Sequence, residues 1–152
     1  MAVERTLVLV KPDAVRRRLI GEIVSRIERK GLKIVAMKMV RVDRKRAEKH
    51  YAVHEGKRFY ESLLDFITSG PVVALAVEGE GAIGVMRNLM GPTFGFEAPP
   101  GTIRGDYCLS RQANLVHGSD GADTAAYELP IWFDEDEMLS YSMPDDLCFG
   151  EE

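Results

Sequence analysis

The sequence predicts a single α+β domain, in which a four-stranded antiparallel sheet has helices packed around it. Four short apolar runs have the length and residue types of strands, and segments with helical spacing of apolar residues separate them. The chain has 152 residues, which is enough for one domain with a sizeable core. No linker or internal repeat divides it, so one domain is expected.

The first strand and helix are predicted from residues 6–31. Residues 6–10, Thr-Leu-Val-Leu-Val, are β-branched or apolar on both faces, which indicates a buried strand that ends at Lys11-Pro12. Asp13 can cap the helix that follows. The apolar positions of this helix recur at helical spacing, at Ile20, Ile23, Val24 and Ile27. Gly31 then ends the helix after two basic residues.

The remaining elements follow from the same two patterns. Partial alternation predicts a second strand over 32–40, and apolar runs predict strands over 71–77 and 114–117. Helices are predicted over 43–51, 58–67 and 82–90, and a last helix capped by Asp120 or Asp123 runs towards Trp132. Residues 91–105 form a long Gly- and Pro-containing loop, a kind of segment that is usually functional or part of an interface. This order of elements fits a ferredoxin-like split βαβ arrangement.

Composition excludes several classes of protein. With 20 basic and 24 acidic residues the net charge is −4, which argues against non-specific nucleic-acid binding. The N-terminus lacks the apolar stretch of a signal peptide and no run approaches membrane-spanning length, so a cytoplasmic protein without a membrane partner is expected. Cys108 and Cys148 have no metal-like spacing, and a disulfide between them stays open.

A glycine pattern at residues 79–84 resembles a dinucleotide-binding fingerprint, and we reject it. Gly79, Gly81 and Gly84 satisfy G-x-G-x-x-G between a predicted strand and a predicted helix. A dinucleotide site also needs a second parallel strand with an acidic residue after the helix. Here the helix leads into the long loop, so we interpret the pattern as a strand-to-helix turn.

His117 is the strongest candidate for a nucleophile. The other two histidines, His50 and His54, lie in or beside a polar helix and are expected to be solvated. His117 ends an apolar strand and precedes Gly-Ser-Asp, which favours a turn, so its side chain is expected in the cleft above the sheet. An imidazole oriented by a partner is a nucleophile near neutral pH, and Glu128 in the next helix could be that partner. The alternative is a histidine that hydrogen bonds satisfy near a turn.

Three basic residues and a threonine could surround a polyphosphate. Lys11 lies at a strand end, Arg87 in a helix and Arg104 in the loop segment 101–106. With Thr93 they could bind phosphate oxygens, to which guanidinium groups are well matched. Each alone is more often a surface charge, and the spacing does not show that they converge.

Four separated stretches resemble the nucleoside diphosphate kinase family and occur in the family's order. They are Val10-Lys11-Pro12-Asp13, Ser69-Gly70-Pro71-Val72-Val73, Pro100-Gly101-Thr102-Ile103-Arg104-Gly105-Asp106 and Asn114-Leu115-Val116-His117-Gly118-Ser119-Asp120. The resemblance implies a ferredoxin-like core and transfer of a γ-phosphate between nucleotides of any base. It also implies a ping-pong cycle through phosphorylated His117 with Mg²⁺ on the nucleotide phosphates, and no metal ligand from the protein.

The resemblance also implies a role for each site residue. The catalytic set is His117, Glu128, which orients it, and Lys11, with Ser119 in support. Phosphates, sugar and the moving group would be bound by Lys11, Tyr51, Arg87, Thr93, Arg104 and Asn114. Phe59 would stack on the base, which is a contact that tolerates every base because each has a π surface. Members of the family form homo-oligomers, so a hexamer or tetramer is expected.

The chain departs from the family pattern in three places. Phe94-Gly95-Phe96-Glu97 follows Thr93 where the family usually has Asn-Pro, which is expected to expose two aromatic rings. Gln112-Ala113 replaces Gly-Arg before Asn114. Residues 1–141 are expected to form the kinase domain, and residues 142–152 to add an acidic tail.

Two other functions fit some of these features. A regulatory member of the family would bind nucleotide or a partner protein without turnover, but it should have lost some of the site residues. A nucleic-acid-binding module can use aromatic residues on a sheet of this kind. The net charge and the lack of paired aromatic residues on one strand count against the second.

Overall fold

The computed structural model describes residues 2–144, which form one four-stranded sheet and its covering helices. The strands are β1 (Val3–Val10), β2 (Lys33–Arg41), β3 (Pro71–Glu80) and β4 (Val116–Gly118). The α-helices are α1 (Pro12–Arg16), α2 (Ile20–Arg29), α3 (Arg44–His50), α4 (Tyr60–Ile67), α5 (Ala82–Met90), α6 (Ile103–Tyr107) and α7 (Ala122–Trp132). Short 3-10 helices lie at Ala52–His54, Gly95–Glu97 and Glu135–Glu137.

The sheet has the strand order β2-β3-β1-β4, and every pair of neighbouring strands is antiparallel. The antiparallel α+β fold predicted from the sequence is therefore confirmed. β1 lies between β3 and β4, with Val8 opposite Gly118 and Leu9 opposite His117. Because β3 is antiparallel to β1 and, within residues 2–144, no parallel strand follows α5, the glycine pattern at 79–84 is a strand-to-helix turn.

Two cores lie on opposite faces of the sheet because successive strand residues point to opposite sides. Val8 and Val10 of β1 pack against the core that includes α2 and α5, whereas Leu7 and Leu9 pack against the core that includes α4 and α7. The unbroken apolar run at the start of the chain therefore supplies both cores. It also makes β1 a rigid base for the short strand β4, on which His117 lies.

The structure has two helices where the sequence predicted one, and the prediction that Asp13 caps the first of them is wrong. α1 ends at Arg16, Arg18 has a φ of 60°, and α2 begins at Ile20. Asp13 does not cap α1, because Lys11 occupies the cap position; the Asp13 carboxylate instead accepts a hydrogen bond of 3.0 Å from the backbone N–H of Leu115. The side chain therefore binds a loop that is distant in sequence.

Differences at the other elements are smaller. Gly31 has a φ of +95° directly after α2, as expected of a helix-ending glycine. Gly121 occupies the cap position of α7, so neither Asp120 nor Asp123 caps it. The predicted loop over 91–105 already contains the first turn of α6, which begins at Ile103. Within residues 2–144 no helix has the length and hydropathy needed to cross a membrane.

Gly105 is the position where the fold of the loop tolerates a side chain least. A Cβ there would lie 1.8 Å from the carbonyl oxygen of Pro99, so the backbone would have to move. We predict that Gly105→Ala lowers the free energy of unfolding by about 1–3 kcal/mol, as overpacking of a filled site does. Denaturant titration followed by circular dichroism measures this change.

Gly84→Ala is the matched control for this prediction. Gly84 lies inside α5, and a Cβ there meets nothing within 4 Å. Alanine in a helix interior is favoured over glycine by up to about 1 kcal/mol, so this variant should be as stable as the parent or more so. Equal effects of the two substitutions would contradict the close approach at Gly105.

Candidate active site

A cleft of about 1050 Å³ opens beside β4 and collects nine of the ten site residues predicted from the sequence. These nine are Lys11, Tyr51, Phe59, Arg87, Thr93, Arg104, Asn114, His117 and Glu128. The tenth, Ser119, is buried behind the cleft and donates a hydrogen bond to Glu128. Residues that sequence spacing could not bring together therefore share one cavity.

The ring of His117 is oriented by Glu128. His117 Nε2 lies 3.0 Å from Glu128 Oε1, and the His117 side chain is 23% exposed. Burial opposes ionisation of Glu128, but the hydrogen bond and charge of His117, with His50 and Ser119, lower its pKa below the ordinary value. An ionised carboxylate only accepts, which assigns the ring proton to Nε2. The Nδ1 atom then keeps its lone pair and is free to act as a nucleophile.

Glu128 is itself held by Ser119, which is bonded to the central strand. The Ser119 hydroxyl donates to Glu128 Oε1 at 2.7 Å, and the Ser119 backbone N–H donates to the Leu7 carbonyl at 3.1 Å. The backbone N–H of Leu7 donates back to Ser119 Oγ at 3.3 Å. A continuous set of hydrogen bonds therefore connects β1 to the carboxylate that orients His117.

His50 is buried against His117, so the expectation that it is solvated is wrong. It is 4% exposed, and its ring packs edge-to-face against that of His117 with centroids 4.8 Å apart. The Trp132 Nε1–H donates to His50 Nδ1 at 3.1 Å. Burial, with a smaller contribution from His117, lowers the pKa of His50 to about 3, so the ring is neutral. His54, the other histidine expected to be solvated, is partly buried beside Phe59.

The turn before β4 stores backbone strain at Leu115. Leu115 has a φ of 73°, and the N–H of Val116 donates to the carbonyl of Asn114 at 2.8 Å, so Leu115 is the centre of a three-residue turn. Asp13 accepts from the N–H of Leu115, and the Lys11 N–H donates to its carbonyl at 2.9 Å. Such strain persists where surrounding contacts fix it, often at functional sites.

Lys11 is a buried ammonium group that points into the cleft. Its Nζ donates to Asn114 Oδ1 at 2.7 Å and to the Gln112 carbonyl at 3.4 Å. Burial and the nearby charge of Arg104 lower the pKa of Lys11 to about 8. Neutral oxygens do not balance its charge, so an anion in the cleft would stabilise the protonated form.

The two arginines of the cleft differ in their surroundings. Arg104 is 5% exposed, and its guanidinium donates to the carbonyls of Asn114, Gly91 and Val116 at 3.1, 2.9 and 2.6 Å. Burial and the charge of Arg87 lower its pKa to about 10. Arg87 is exposed on α5 and makes no ion pair within residues 2–144. Arg104 therefore fixes the loop to β4 as well as lining the cleft, while Arg87 is available to a ligand.

Polar and aromatic groups complete the walls. The backbone carbonyl of Thr93 accepts from the Asn114 amide at 2.9 Å, which orients the asparagine side chain. Tyr51 is buried, and burial, with the charge of Glu128, raises the pKa of its phenol, which stays protonated as a donor. Phe59 is 48% exposed at the mouth, with the His54 ring 5.3 Å away. An exposed ring at the mouth of a polar cleft can stack on a planar ligand.

The structure adds residues that sequence reasoning missed. Arg111 lines the cleft and lies 4.8 Å over the ring of Phe94, which is therefore partly covered rather than exposed; only Phe96 of that pair is exposed, at 72%. Asp120 and Asp123 also line the cleft. No periodicity in the sequence marks these three positions as part of a site.

His50, His117 and Glu128 have the donor types of a metal site, with their ligand atoms within 4.8 Å of one another. Hydrogen bonds already use these atoms, since Trp132 donates to His50 Nδ1 and His117 bonds Glu128. Mg²⁺ prefers oxygen ligands and is commonly held by substrate phosphates, so two imidazoles do not suit it. The cluster is therefore a hydrogen-bonded group around His117.

Comparisons with known proteins identify the family of the chain. The family model described as nucleoside diphosphate kinase matches residues 4–138. A nucleoside diphosphate kinase from Staphylothermus marinus is 57% identical over 141 residues, which cover 93% of this chain and 100% of that protein. One from Sulfurisphaera tokodaii is 52% identical over 140 residues, 92% of this chain and 95% of that protein.

Two solved structures share the fold over nearly the whole chain. A halophilic nucleoside diphosphate kinase from Halobacterium salinarum in complex with CDP has a TM-score of 0.94 and 48% identity, covering 99% of this chain and 100% of that one. A transition-state mimic of the Borrelia burgdorferi enzyme, with bound vanadate and ADP, has a TM-score of 0.90 and 42% identity, covering 96% and 95%. The chain therefore belongs to the nucleoside diphosphate kinase family.

Proposed function

We propose that His117 carries the transferred phosphoryl group at Nδ1 in a ping-pong nucleoside diphosphate kinase reaction. The observation that carries the proposal is the contact of His117 Nε2 with the Glu128 carboxylate, which leaves Nδ1 as the free nitrogen of a side chain that lines the cleft. A regulatory protein without turnover would have no need of a nucleophile so fully oriented. An imidazole nucleophile generally needs a partner that orients its ring, and the Glu128 carboxylate is that partner for His117.

In the first half-reaction, the Nδ1 lone pair of His117 attacks the γ-phosphorus of the nucleoside triphosphate. A nitrogen–phosphorus bond forms as the bond from phosphorus to the β–γ bridging oxygen breaks, and that oxygen leaves with the electron pair on the nucleoside diphosphate. The ring becomes cationic, and Glu128 stabilises it through the Nε2–H. A second nucleoside diphosphate takes the phosphoryl group by the reverse step.

The cationic side chains of the cleft supply most of the electrostatic stabilisation. Charge on the moving phosphoryl group spreads over its oxygens, so preorganised donors dominate the catalysis of such reactions. We assign this role to Lys11, Arg87 and Arg104, with Asn114, Thr93 and Tyr51 as polar contacts to phosphate and sugar. Mg²⁺ would arrive on the nucleotide phosphates, where it would neutralise their charge; Asp120 and Asp123 are the nearest candidates to bind its water ligands.

Base tolerance follows from the position of Phe59. Stacking on an aromatic ring does not distinguish bases, because each base has a π face. One relative is in complex with CDP, a pyrimidine nucleotide, and another has bound ADP, a purine nucleotide. These two complexes support tolerance of both classes of base in this chain. Phe59 is proposed as the stacking surface for either class.

We also propose that the chain is a homo-oligomer, a hexamer or a tetramer. Met37 and Met39 are 56% and 59% exposed on β2, an edge strand of the sheet, and Phe96 and Leu109 are 72% and 80% exposed near the long loop. Exposed apolar side chains on an edge strand favour pairing with another chain. The cytoplasmic location expected from the sequence stays a prediction.

His117→Ala tests the nucleophile directly. The variant should lose phosphoryl transfer from ATP to GDP in a coupled assay, because it lacks the imidazole that would carry the phosphoryl group. Its affinity for ADP should remain within a few-fold of the parent, since the cations and Phe59 are unchanged. Turnover near the parent rate in a folded variant would contradict the assignment.

Arg87→Ala tests the proposed phosphate contacts. Arg87 forms no ion pair within the described residues, so its removal should not disturb the fold. Removal of Arg104 would disturb it, because Arg104 bonds three backbone carbonyls. A hydrogen bond to a charged group is worth about 1.5–3 kcal/mol, so the KM for ADP, GDP and CDP should each rise about ten- to a hundredfold. The three rises should be equal, because the contact is to phosphate.

Arg29→Ala is the control for charge removal. Arg29 is exposed near the end of α2 and does not line the cleft. This variant should leave all three KM values unchanged. If Arg87→Ala raised the KM for only one of the three nucleotides, Arg87 would contact the base instead of the phosphates.

A further inference from the structure

His50 is a buried aromatic group beside the nucleophile that the reaction steps above do not use. It is the last residue of α3, and its ring lies among those of Tyr51, His117 and Trp132, with centroids 4.7, 4.8 and 5.5 Å away. All three contacts are edge-to-face, an arrangement in which aromatic rings attract each other. The ring therefore fills the space behind His117.

The Trp132 indole fixes how the His50 ring is turned. Trp132 Nε1–H donates to His50 Nδ1, and both residues are almost fully buried. Since Nδ1 accepts, the proton of this neutral ring lies on Nε2. Glu128 Oε2 lies 3.8 Å from the same Nδ1, and two acceptors cannot hydrogen bond, so His50 does not compete with His117 for the carboxylate.

Glu128 alone is not enough to select one nitrogen of His117 completely. A hydrogen bond to a charged group favours one arrangement by roughly ten- to a hundredfold. A ring with empty space behind it could turn and present Nε2 to the cleft in the remaining fraction of molecules. Phosphorylation there would place the group where Glu128 can no longer hold the ring.

We propose that His50 is a positioning residue whose ring, packed edge-to-face on His117, keeps the His117 ring from turning, so that phosphate attaches at Nδ1 alone. This inference rests on the proposed phosphohistidine, and it adds the selection of one nitrogen over the other. The covalent step is unchanged, since the lone pair of Nδ1 forms the bond to phosphorus as the β–γ bridging oxygen leaves. The edge-to-face packing on His117 carries the inference, and the indole hydrogen bond sets only how the His50 ring is turned.

Two substitutions separate the ring of His50 from its acceptor atom. His50→Asn keeps an oxygen near the position of Nδ1, so it can still accept from Trp132, but it removes the ring from behind His117. His50→Phe keeps a flat ring of similar shape and removes the acceptor. If the ring of His50 positions His117, the His117 ring should be able to rotate only in the asparagine variant.

The measurement is the isomer of phosphohistidine formed on each protein. Parent and variants are incubated with Mg²⁺ and ATP and hydrolysed in alkali, and Nδ1- and Nε2-phosphohistidine are separated against synthetic standards. The parent and His50→Phe should give the Nδ1 isomer, whereas in His50→Asn between about 1 and 10% should be the Nε2 isomer. A general loss of stability would reduce total phosphohistidine without changing this ratio.

Each outcome decides one claim. An Nε2 fraction in folded His50→Asn no higher than in the parent, or an equal rise in His50→Phe, would overturn the positioning role. If the asparagine variant does not fold, His50→Gln, which also offers an amide oxygen and lacks the ring, decides in its place. Absence of any phosphohistidine in the parent would instead overturn the proposed function itself.

His54→Ala is the control for loss of a histidine from the same cleft. The described ring contacts of His54 are with Tyr51 and Phe59, at 6.3 and 5.3 Å. The His54→Ala variant should still form only the Nδ1 isomer, whatever the substitution does to nucleotide binding. The appearance of the Nε2 isomer in this variant would show that the isomer ratio does not report on His50.

Discussion

The hydrogen bond between His117 Nε2 and Glu128 Oε1 decides which nitrogen of the His117 ring is left free for the proposed phosphoryl transfer. It depends on a short strand, β4, being bonded to the buried central strand β1, because this pairing sets the position of His117 opposite Leu9. It depends also on Ser119, which holds the carboxylate and is bonded twice to Leu7. The apolar core on both faces of β1 thus fixes the geometry of the proposed nucleophile, His117.

The site combines a strained backbone at Leu115 with buried charge, for which neutral oxygens compensate only in part. Lys11 and Arg104 are almost fully buried, and their N–H groups bond backbone carbonyls or the Asn114 amide oxygen. Their depressed pKa values indicate that these neutral partners stabilise the cations less than water does. A polyphosphate in the cleft would supply the missing negative charge. Binding of a polyphosphate would therefore offset the free-energy cost of burying Lys11 and Arg104.

Much of the fold and most of the site could be predicted from the sequence. Periodicity located all four strands, because the two-faced apolar run of β1 and the buried runs of β3 and β4 are local signals. The convergence of Lys11, Arg87, Arg104 and His117 was not visible in local patterns and rested on the family resemblance. The structure places all of these side chains in one cleft.

The errors share a physical cause, which is that tertiary contacts overrode local preference. Asp13 has the sequence position of a helix cap but binds the strained turn at Leu115. His50 lies in a helix of mostly polar residues, yet α3 packs that end against α7, where Trp132 covers the ring. Phe94 was expected to be exposed and is covered by Arg111. Most of the predicted tail, with Cys148, lies outside the described residues.

The most direct test of the central claim is to mix the parent protein with Mg²⁺ and γ-labelled ATP, remove free nucleotide and measure intact mass. The account predicts a gain of one phosphate per chain that is labile to acid, maps to His117 and is discharged by added GDP as labelled GTP. A protein that binds ATP and gains no phosphate, or transfers label only when both nucleotides are present together, would contradict a phosphohistidine intermediate.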